Sequence, residues 1–257
     1  MISTYKIMTF NIRVIVPSDP FSWEQRKNWI YTTIDTYRPD VIGMQEITPY
    51  MLEWIKAAFQ ETYDIYSVNR VNSIKDGEYI AILSKKTIFT VGKKGAFMLS
   101  ETPSEKGSIG WDAEYPRVCQ WLELSPTHKN TSVMRIYNTH LDHIGKNARQ
   151  NGLQLIKKEM QRVKLPVVLT GDFNDTPDSG ALHKVASMRS CYAGFNQQEK
   201  EHSLTFHDYK GGTIGSPIDY ILSDNNVNLS STKIIRDRYK EGYPSDHYPI
   251  LTTITFP

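Results

Sequence analysis

The residues of this sequence best suited to chemistry fall just after short apolar runs. Asn11 follows Ile7-Met8-Thr9-Phe10, and Gln45-Glu46 follows Val41-Ile42-Gly43-Met44. His140 follows Ile136-Tyr137-Asn138-Thr139, while Asp172 and Asn174 follow Val167-Val168-Leu169-Thr170-Gly171. Asp246-His247 precedes the last apolar stretch. Asn11, Glu46 and Asp246 offer hard oxygen ligands, which suit Mg²⁺ or Mn²⁺ and leave most coordination positions to water and phosphate. His140 and His247 supply imidazoles that titrate near neutral pH. Asp172 adds a carboxylate able to orient a water. A metal, a water-activating acid and imidazoles together make a site for hydrolytic phosphoryl transfer.

Each of these residues has a plainer explanation when taken singly. Asn11 suits a turn, Glu46 suits the start of the helix that follows, and His140 suits a hydrogen-bonded core position. Gly171-Asp172-Phe173-Asn174-Asp175 and Ser245-Asp246-His247-Tyr248-Pro249 both read as polar turns. Their joint occurrence points to a site, because strand ends and adjoining loops are where layered sheet proteins build one.

The elements that must position these residues are mostly strands. Tyr5 to Ile12, Val41 to Met44, Tyr79 to Leu83, Val118 to Leu124, Val133 to Thr139, Val167 to Thr170, Ile218 to Leu222 and Ile250 to Thr255 are apolar or β-branched runs bounded by turn residues. Helices are fewer. Ser22 caps one running to Tyr37, and Pro49 opens a second with Met51, Leu52, Ile55 and Phe59 on one face. Leu153, Ile156, Met160 and Val163 make a third that ends before Pro166, and Asp178 to Ser187 is a short fourth. Strands with a few interspersed helices predict an α/β sandwich of layers.

Composition narrows the class. The 257 residues carry 30 Lys+Arg and 28 Asp+Glu, a net charge of +2, which disfavours gripping long duplex DNA by phosphate neutralisation. No linker or repeat divides the chain, so residues 1–257 are expected to form a single domain. No apolar stretch is long enough to span a membrane. Met1-Ile2-Ser3-Thr4-Tyr5-Lys6 lacks the pattern of a signal peptide, so the expected location is cytoplasmic. Cys119 and Cys191, the two cysteines, are too few for a disulfide scaffold and are expected in the core.

Short motifs along the chain carry a resemblance. Thr9-Phe10-Asn11-Ile12-Arg13, Gln45-Glu46, Gly77-Glu78-Tyr79, Asn138-Thr139-His140-Leu141, Gly171-Asp172-Phe173-Asn174, Ile218-Asp219-Tyr220-Ile221 and Ser245-Asp246-His247-Tyr248-Pro249 occur in that order between Thr4 and Phe256. In them the sequence resembles the endonuclease/exonuclease/phosphatase family of metal-dependent phosphoesterases. The resemblance implies a four-layered α/β sandwich, two mainly antiparallel sheets flanked by helices. It implies that Asn11 and Glu46 hold Mg²⁺, with Asp246 as a further ligand or its support. Asp172 would orient or deprotonate the attacking water, and Asn174 would hold the phosphate or that water. His247, positioned by Asp219, would stabilise charge on phosphorus or act as the base. His140, oriented by Glu78, would donate towards the phosphate and leaving group.

The region from Phe97 to Val118 looks like a bacterial subgroup of unassigned substrate. Thr139-His140-Leu141 and Pro217-Ile218-Asp219-Tyr220 depart from the signatures of abasic-site endonucleases and inositol polyphosphate 5-phosphatases respectively. Neutral sphingomyelinases and the deadenylase-like branch share the histidine-leucine motif. Within this block Arg117 suits either a bidentate grip on a substrate phosphate or an interstrand ion pair. Trp111 suits stacking on a base or sugar, Trp121 suits the core, and His207 reads as a structural loop histidine. The expected function is a Mg²⁺-dependent hydrolase of a phosphodiester or phosphomonoester, with a small molecule or short nucleic acid as substrate and no protein partner evident. A nuclease on short or single-stranded nucleic acid is the rival enzyme, and a catalytically inactive binding module the rival from another class.

Overall fold

The computed structural model describes residues 4–129, 133–240 and 242–256, so Met1, Ile2 and Ser3 lie outside it. The first half runs β1 (Thr4–Asn11), α1 (Trp23–Tyr37), β2 (Val41–Ile47), α2 (Pro49–Phe59), β3 (Tyr63–Asn69), β4 (Tyr79–Lys85), β5 (Phe89–Met98) and β6 (Val118–Pro126). The second runs β7 (Met134–His140), α3 (Lys146–Gln161), β8 (Val167–Asp172), α4 (Gly180–His183), β9 (Arg189–Ser190), α5 (Gln197–Glu201), β10 (Asp219–Ser223), β11 (Asn228–Ile234) and β12 (Ile250–Thr255).

Two six-stranded sheets form, in the orders β11-β12-β1-β2-β4-β3 and β5-β6-β7-β8-β10-β9. Among the described strands only β1–β2 and β7–β8 pair in parallel, each joined through a helix, as parallel neighbours require. The period-2 alternation of β1 shows how the layers arise. Tyr5 and Ile7 enter the core between the sheets, while Met8, Phe10 and Ile12 pack with Trp23, Ile30 and Ile34 of α1 and Met51 and Ile55 of α2. Leu153, Ile156 and Met160 of α3 and Ala181 of α4 join the core cluster that contains the second sheet. The result is the α/β sandwich flanked by helices that the sequence predicts.

At its centre the sandwich is polar. Asn138 donates through Nδ2 to the Met44 and Ala81 carbonyls across the sheet interface, and its Oδ1 accepts from Gln45 Nε2 (2.7 Å) and Thr170 Oγ1 (3.1 Å). These groups are fully buried, so pairing them spares the cost of stranded polar atoms. Gly43 sits against them: a Cβ there would lie 2.2 Å from Thr170 Oγ1 and 2.6 Å from Asn138 Oδ1.

Facing strands follow one another like divisions on a ruler, β12 with β10, β1 with β8, β2 with β7, and β4 with β6. At one mouth of the sandwich each pair delivers chemistry. His247 precedes β12 and Asp219 opens β10; Asn11 and Asp172 close β1 and β8; Glu46 and His140 stand at the ends of β2 and β7. Glu78 and Arg117 precede β4 and β6, and Arg70 follows β3.

Several elements differ from expectation. β3, β5, β9, β11 and α5 lack a sequence signal. β3, β5, β9 and β11 lie at sheet edges, where one side is half-exposed and alternation fades. α4 has one turn, and the chain to Met188 continues in three-residue turns. α3 is preceded by Gly145, an N-cap with no side chain to cap it; Asp112 from the β5–β6 connection accepts instead from the backbone of Ala148 (2.7 Å) and Asn147 (3.1 Å). Cys119 and Cys191 are buried and free. Among the described residues no helix is long and apolar enough to cross a membrane.

Candidate active site

Register in the second sheet sets the floor of the site. Asp172 pairs directly with His140 on one side and Asp219 on the other, placing three titratable side chains in a row across β7, β8 and β10. In the first sheet Glu46 lies where the β2–β4 register shifts, with φ at +62°, a conformation non-glycine residues seldom adopt. That bulge turns its carboxylate out of the strand's alternation. Glu46 Oε1 then accepts from Asn11 Nδ2 (2.8 Å) and Oε2 from the Val14 backbone (2.9 Å).

Asn11 is the meeting point. Its Nδ2 donates to Asp172 Oδ2 (2.9 Å) as well as to Glu46 and lies 3.4 Å from His247 Nε2. Its Oδ1 accepts from the Arg13 backbone. His247 Nδ1 is 2.9 Å from Asp219 Oδ2, and His247 Nε2 is 3.7 Å from Asp172 Oδ2. Asn174, at φ +48°, donates its backbone N–H to Asp172 Oδ1 and its Nδ2 to the Leu141 carbonyl. With the amide so oriented, His140 Nε2, 3.0 Å away, accepts from Asn174, and the ring proton belongs on Nδ1.

Electrostatics separates the titrating groups. Burial and then the neighbouring Asp219 push Asp172 up to about 7, against the pull of His247. Burial lowers the proton affinity of His247, but Asp219 and Asp172 outweigh it and push His247 up to about 10. His140 falls well below the ordinary histidine range through burial and then the charges of Arg117 and Arg70. The floor therefore holds a cationic imidazole and a neutral one on either side of a carboxyl group titrating near neutrality.

Donor atoms of Glu46, Asp172 and His247 all lie within 4.8 Å of one another. The set fits a divalent cation. Two carboxylates converge on the amide of Asn11, and Asp172 is short of positive charge, as its raised affinity for protons records. His247 is a poor ligand while Asp219 keeps it protonated, so the oxygen atoms dominate the set, the preference of Mg²⁺ or Mn²⁺. Asp246 stands slightly apart, with Oδ2 3.4 Å from Arg13 Nε and Oδ1 accepting from Ser245.

Above the floor opens a cleft of about 480 Å³ lined by these residues and by Arg13, Arg70, Tyr115, Arg117, His143 and Phe206. Glu78 departs from its expected part. Its carboxylate pairs with Arg70 Nη2 (2.9 Å), because the β3–β4 hairpin sets the two residues opposite each other; His140 is held by Asn174 instead. Arg117 makes the ion pair, Nε to Asp142 Oδ2 at 3.3 Å, and still stands on the cleft wall. His207 is buried against Tyr248, ring centroids 3.9 Å apart, and is lowered to about 4 by burial and then by His247. Trp121 packs under Arg135, and Trp111 is tied by its backbone N–H to Glu101. Arg70, Tyr115, His143 and Phe206 were not singled out by sequence; Arg13 lay inside a quoted motif, but the others follow no motif and reach the cleft through loops.

The fold places the protein among phosphoesterases of sandwich architecture. The sequence profile of the Endonuclease/Exonuclease/phosphatase family matches residues 8–247, and the chain belongs to that family. An endonuclease/exonuclease/phosphatase family protein from Bacteroides thetaiotaomicron superposes with TM-score 0.90 at 28% identity, over 100% of this chain and 99% of that one. A mannosyl-6-phosphatase from the same organism gives TM-score 0.88 at 29% identity, covering 98% and 100%. A CCR4-Not complex 3'-5'-exoribonuclease subunit from Mycosarcoma maydis is 20% identical over 91% of this chain, which spans 45% of that protein. The chain is a phosphoester hydrolase.

Proposed function

We propose that this hydrolase is a Mg²⁺-dependent phosphomonoesterase acting on a sugar phosphate. The observation that carries the reading is the row Asp219–Asp172–His140, capped by His247 and backed by Glu46 and Asn11, at the bottom of a cleft of small-molecule size. The sugar comes from likeness to the mannosyl-6-phosphatase, full-length in both chains.

Glu46 and Asp172 would hold the cation; Asn11, whose Oδ1 is turned to the Arg13 backbone, draws the two carboxylates together through Nδ2 in place of the ligand role expected of it, and Asp246 supports that edge through Arg13. When bound, the cation polarises the phosphoryl oxygens and helps lower the proton affinity of water. Asp172, oriented by the Asn174 backbone N–H, takes the proton of the attacking water. His247 stays a cation, anchored by Asp219, and meets negative charge developing on the phosphoryl group. Asn174 orients both the base and His140, and neutral His140 offers hydrogen bonding without adding charge. Arg117 and Arg70 supply positive potential along the wall.

Release of inorganic phosphate from hexose 6-phosphates tests the reading. Turnover should need Mg²⁺, vanish with EDTA, and fall by a factor of about 10³ or more in the Asp172→Ala, His247→Ala double variant. Wild-type rates in that variant contradict it. A nuclease reading rests on Phe206, 41% exposed and 5.1 Å from the His247 ring, an available platform for a base. Cleavage of short oligonucleotides with affinity that falls steeply as salt rises would favour it over the sugar phosphate.

A further inference from the structure

The strand ruler gives the site a direction. His247, Asp219 and Asp172 stand at the β12/β10 and β1/β8 divisions, His140 one strand further, and Arg117 and then Arg70 beyond it. Strands are about 4.8 Å apart, so two to three divisions separate Asp172 from Arg70, roughly 10–15 Å. In-line displacement puts attacking and leaving oxygens on opposite sides of phosphorus. With the attacking water held by Asp172, the leaving group points past His140 towards Arg117 and Arg70, over a distance that accommodates one sugar ring.

What waits there is a fixed wall. The Arg70 guanidinium lies 4.9 Å from the centre of the Tyr115 ring, and Tyr115 stacks on His143 at 5.9 Å and 11°. Each member is held by a neighbouring group. Glu78 takes Arg70, the Asp142 carboxylate accepts from the Tyr115 backbone (3.4 Å), and His143 lies between Arg117 Nη2 (3.2 Å) and Glu114 (3.4 Å). Tyr115 is nevertheless 41% exposed and the His143 side chain 45%. Nothing in the proposed chemistry uses either residue.

We propose that Tyr115 and His143 form the leaving-group subsite and that it selects a polyhydroxylated ring. This rests on the phosphatase reading above. The Tyr115 ring is already packed against Arg70 and His143, so its hydroxyl edge is what it offers a ligand. A nucleobase needs a bare aromatic face; a sugar needs clustered donors and acceptors, which the tyrosine hydroxyl and the imidazole supply beside guanidinium and carboxylate groups. Tyr115 and His143 are specificity residues, remote from the phosphoryl group, and their loss should change how well the ring is held and leave the chemical step alone.

The test compares glucose 6-phosphate or mannose 6-phosphate with glycerol 3-phosphate, whose leaving group has no ring, in Tyr115→Phe and His143→Ala with Mg²⁺ present. Tyr115→Phe keeps the stack and removes only the hydroxyl. Each variant should raise KM for the hexose phosphates about tenfold with kcat within about threefold of wild type, and leave kcat/KM for glycerol 3-phosphate unchanged. Equal losses on both substrates, or no change on the hexose phosphates, overturn the subsite while leaving the phosphatase standing. Wild type inert on every phosphomonoester overturns the phosphatase reading and the subsite with it.

Discussion

Asp172 is fully enclosed beside a second carboxylate, and both facts raise its proton affinity. His247 is raised too, by the same two carboxylates that flank it. The signs combine. The stability His247 contributes is complete below its ordinary 6.5 and is lost as pH climbs through about 10. Asp172 binds its proton more tightly folded than unfolded, so it favours folding below 3.8 and loses that contribution as pH rises through about 7. With divalent cations chelated, Asp172→Asn should therefore gain in Tm relative to wild type as pH rises from 5 to 8, by thermal melts in EDTA; a constant difference contradicts the shift. Glu78 is the second residue-scale case. Glu78→Gln loosens Arg70, so KM should rise several-fold while the pH profile of kcat, set by Asp172, stays put; a displaced profile would tie Glu78 to the acid–base chemistry. Asn11, Glu46 and Asp172 could be singled out because each follows an apolar run with a polar type and His247 because it precedes one, whereas Asp219 came forward only through the family motif. Glu78 misled because its motif reads the same whether the carboxylate faces His140 or Arg70, and the facing residue is decided by hairpin register. Arg70, Tyr115 and His143 were not legible since loop residues carry no periodicity to mark the side on which they fall.

Strands with both faces covered were the easiest elements to read. β1, β2, β4, β7, β8 and β12 are apolar enough to stand out, whereas β5, with Lys93 and Lys94 exposed mid-strand, resembles a loop. Two element-scale features invisible in local sequence decide stability. Gly43 allows β2 to approach β7 and β8; Gly43→Ala would drive a methyl group into the Asn138–Thr170 pair, backed by strands on both sides. The expected cost is about 2–3 kcal/mol, read as a lower urea midpoint at unchanged slope, and a midpoint equal to wild type would show that the sheets can separate there at little cost. Asp112 lies in the Phe97 to Val118 block, whose likeness is to a bacterial subgroup, and its carboxylate caps α3 from 35 residues away. Asp112→Ala should lower Tm without changing KM, and Asp112→Asn, which keeps an acceptor, should recover most of the loss. A KM effect without a Tm effect would put Asp112 in contact with substrate and contradict the capping role.

At the scale of the whole molecule the two sheets repeat one order of pairing, so a site at their common mouth draws its residues from both ends of the chain: Asn11 and Glu46 from one sheet, Asp172 from the other, and His247 from the approach to the last strand. A cation held there clamps sheet to sheet and binds only the folded chain, since no stretch of the unfolded chain brings Glu46 near Asp172. Folding stability must then rise with cation concentration, by about 2.7 kcal/mol at a hundred times Kd. The proton on Asp172 competes for the same oxygen atoms, so the rise in Tm with Mg²⁺ should be larger at pH 8 than at pH 5.5, on opposite sides of about 7. Differential scanning calorimetry of wild type, Glu46→Gln and Tyr115→Phe across a Mg²⁺ series separates the cases. Tyr115→Phe should follow wild type and Glu46→Gln should lose most of the increment. An increment that survives intact in Glu46→Gln, or that is the same at both pH values, would place the cation somewhere other than between the sheets.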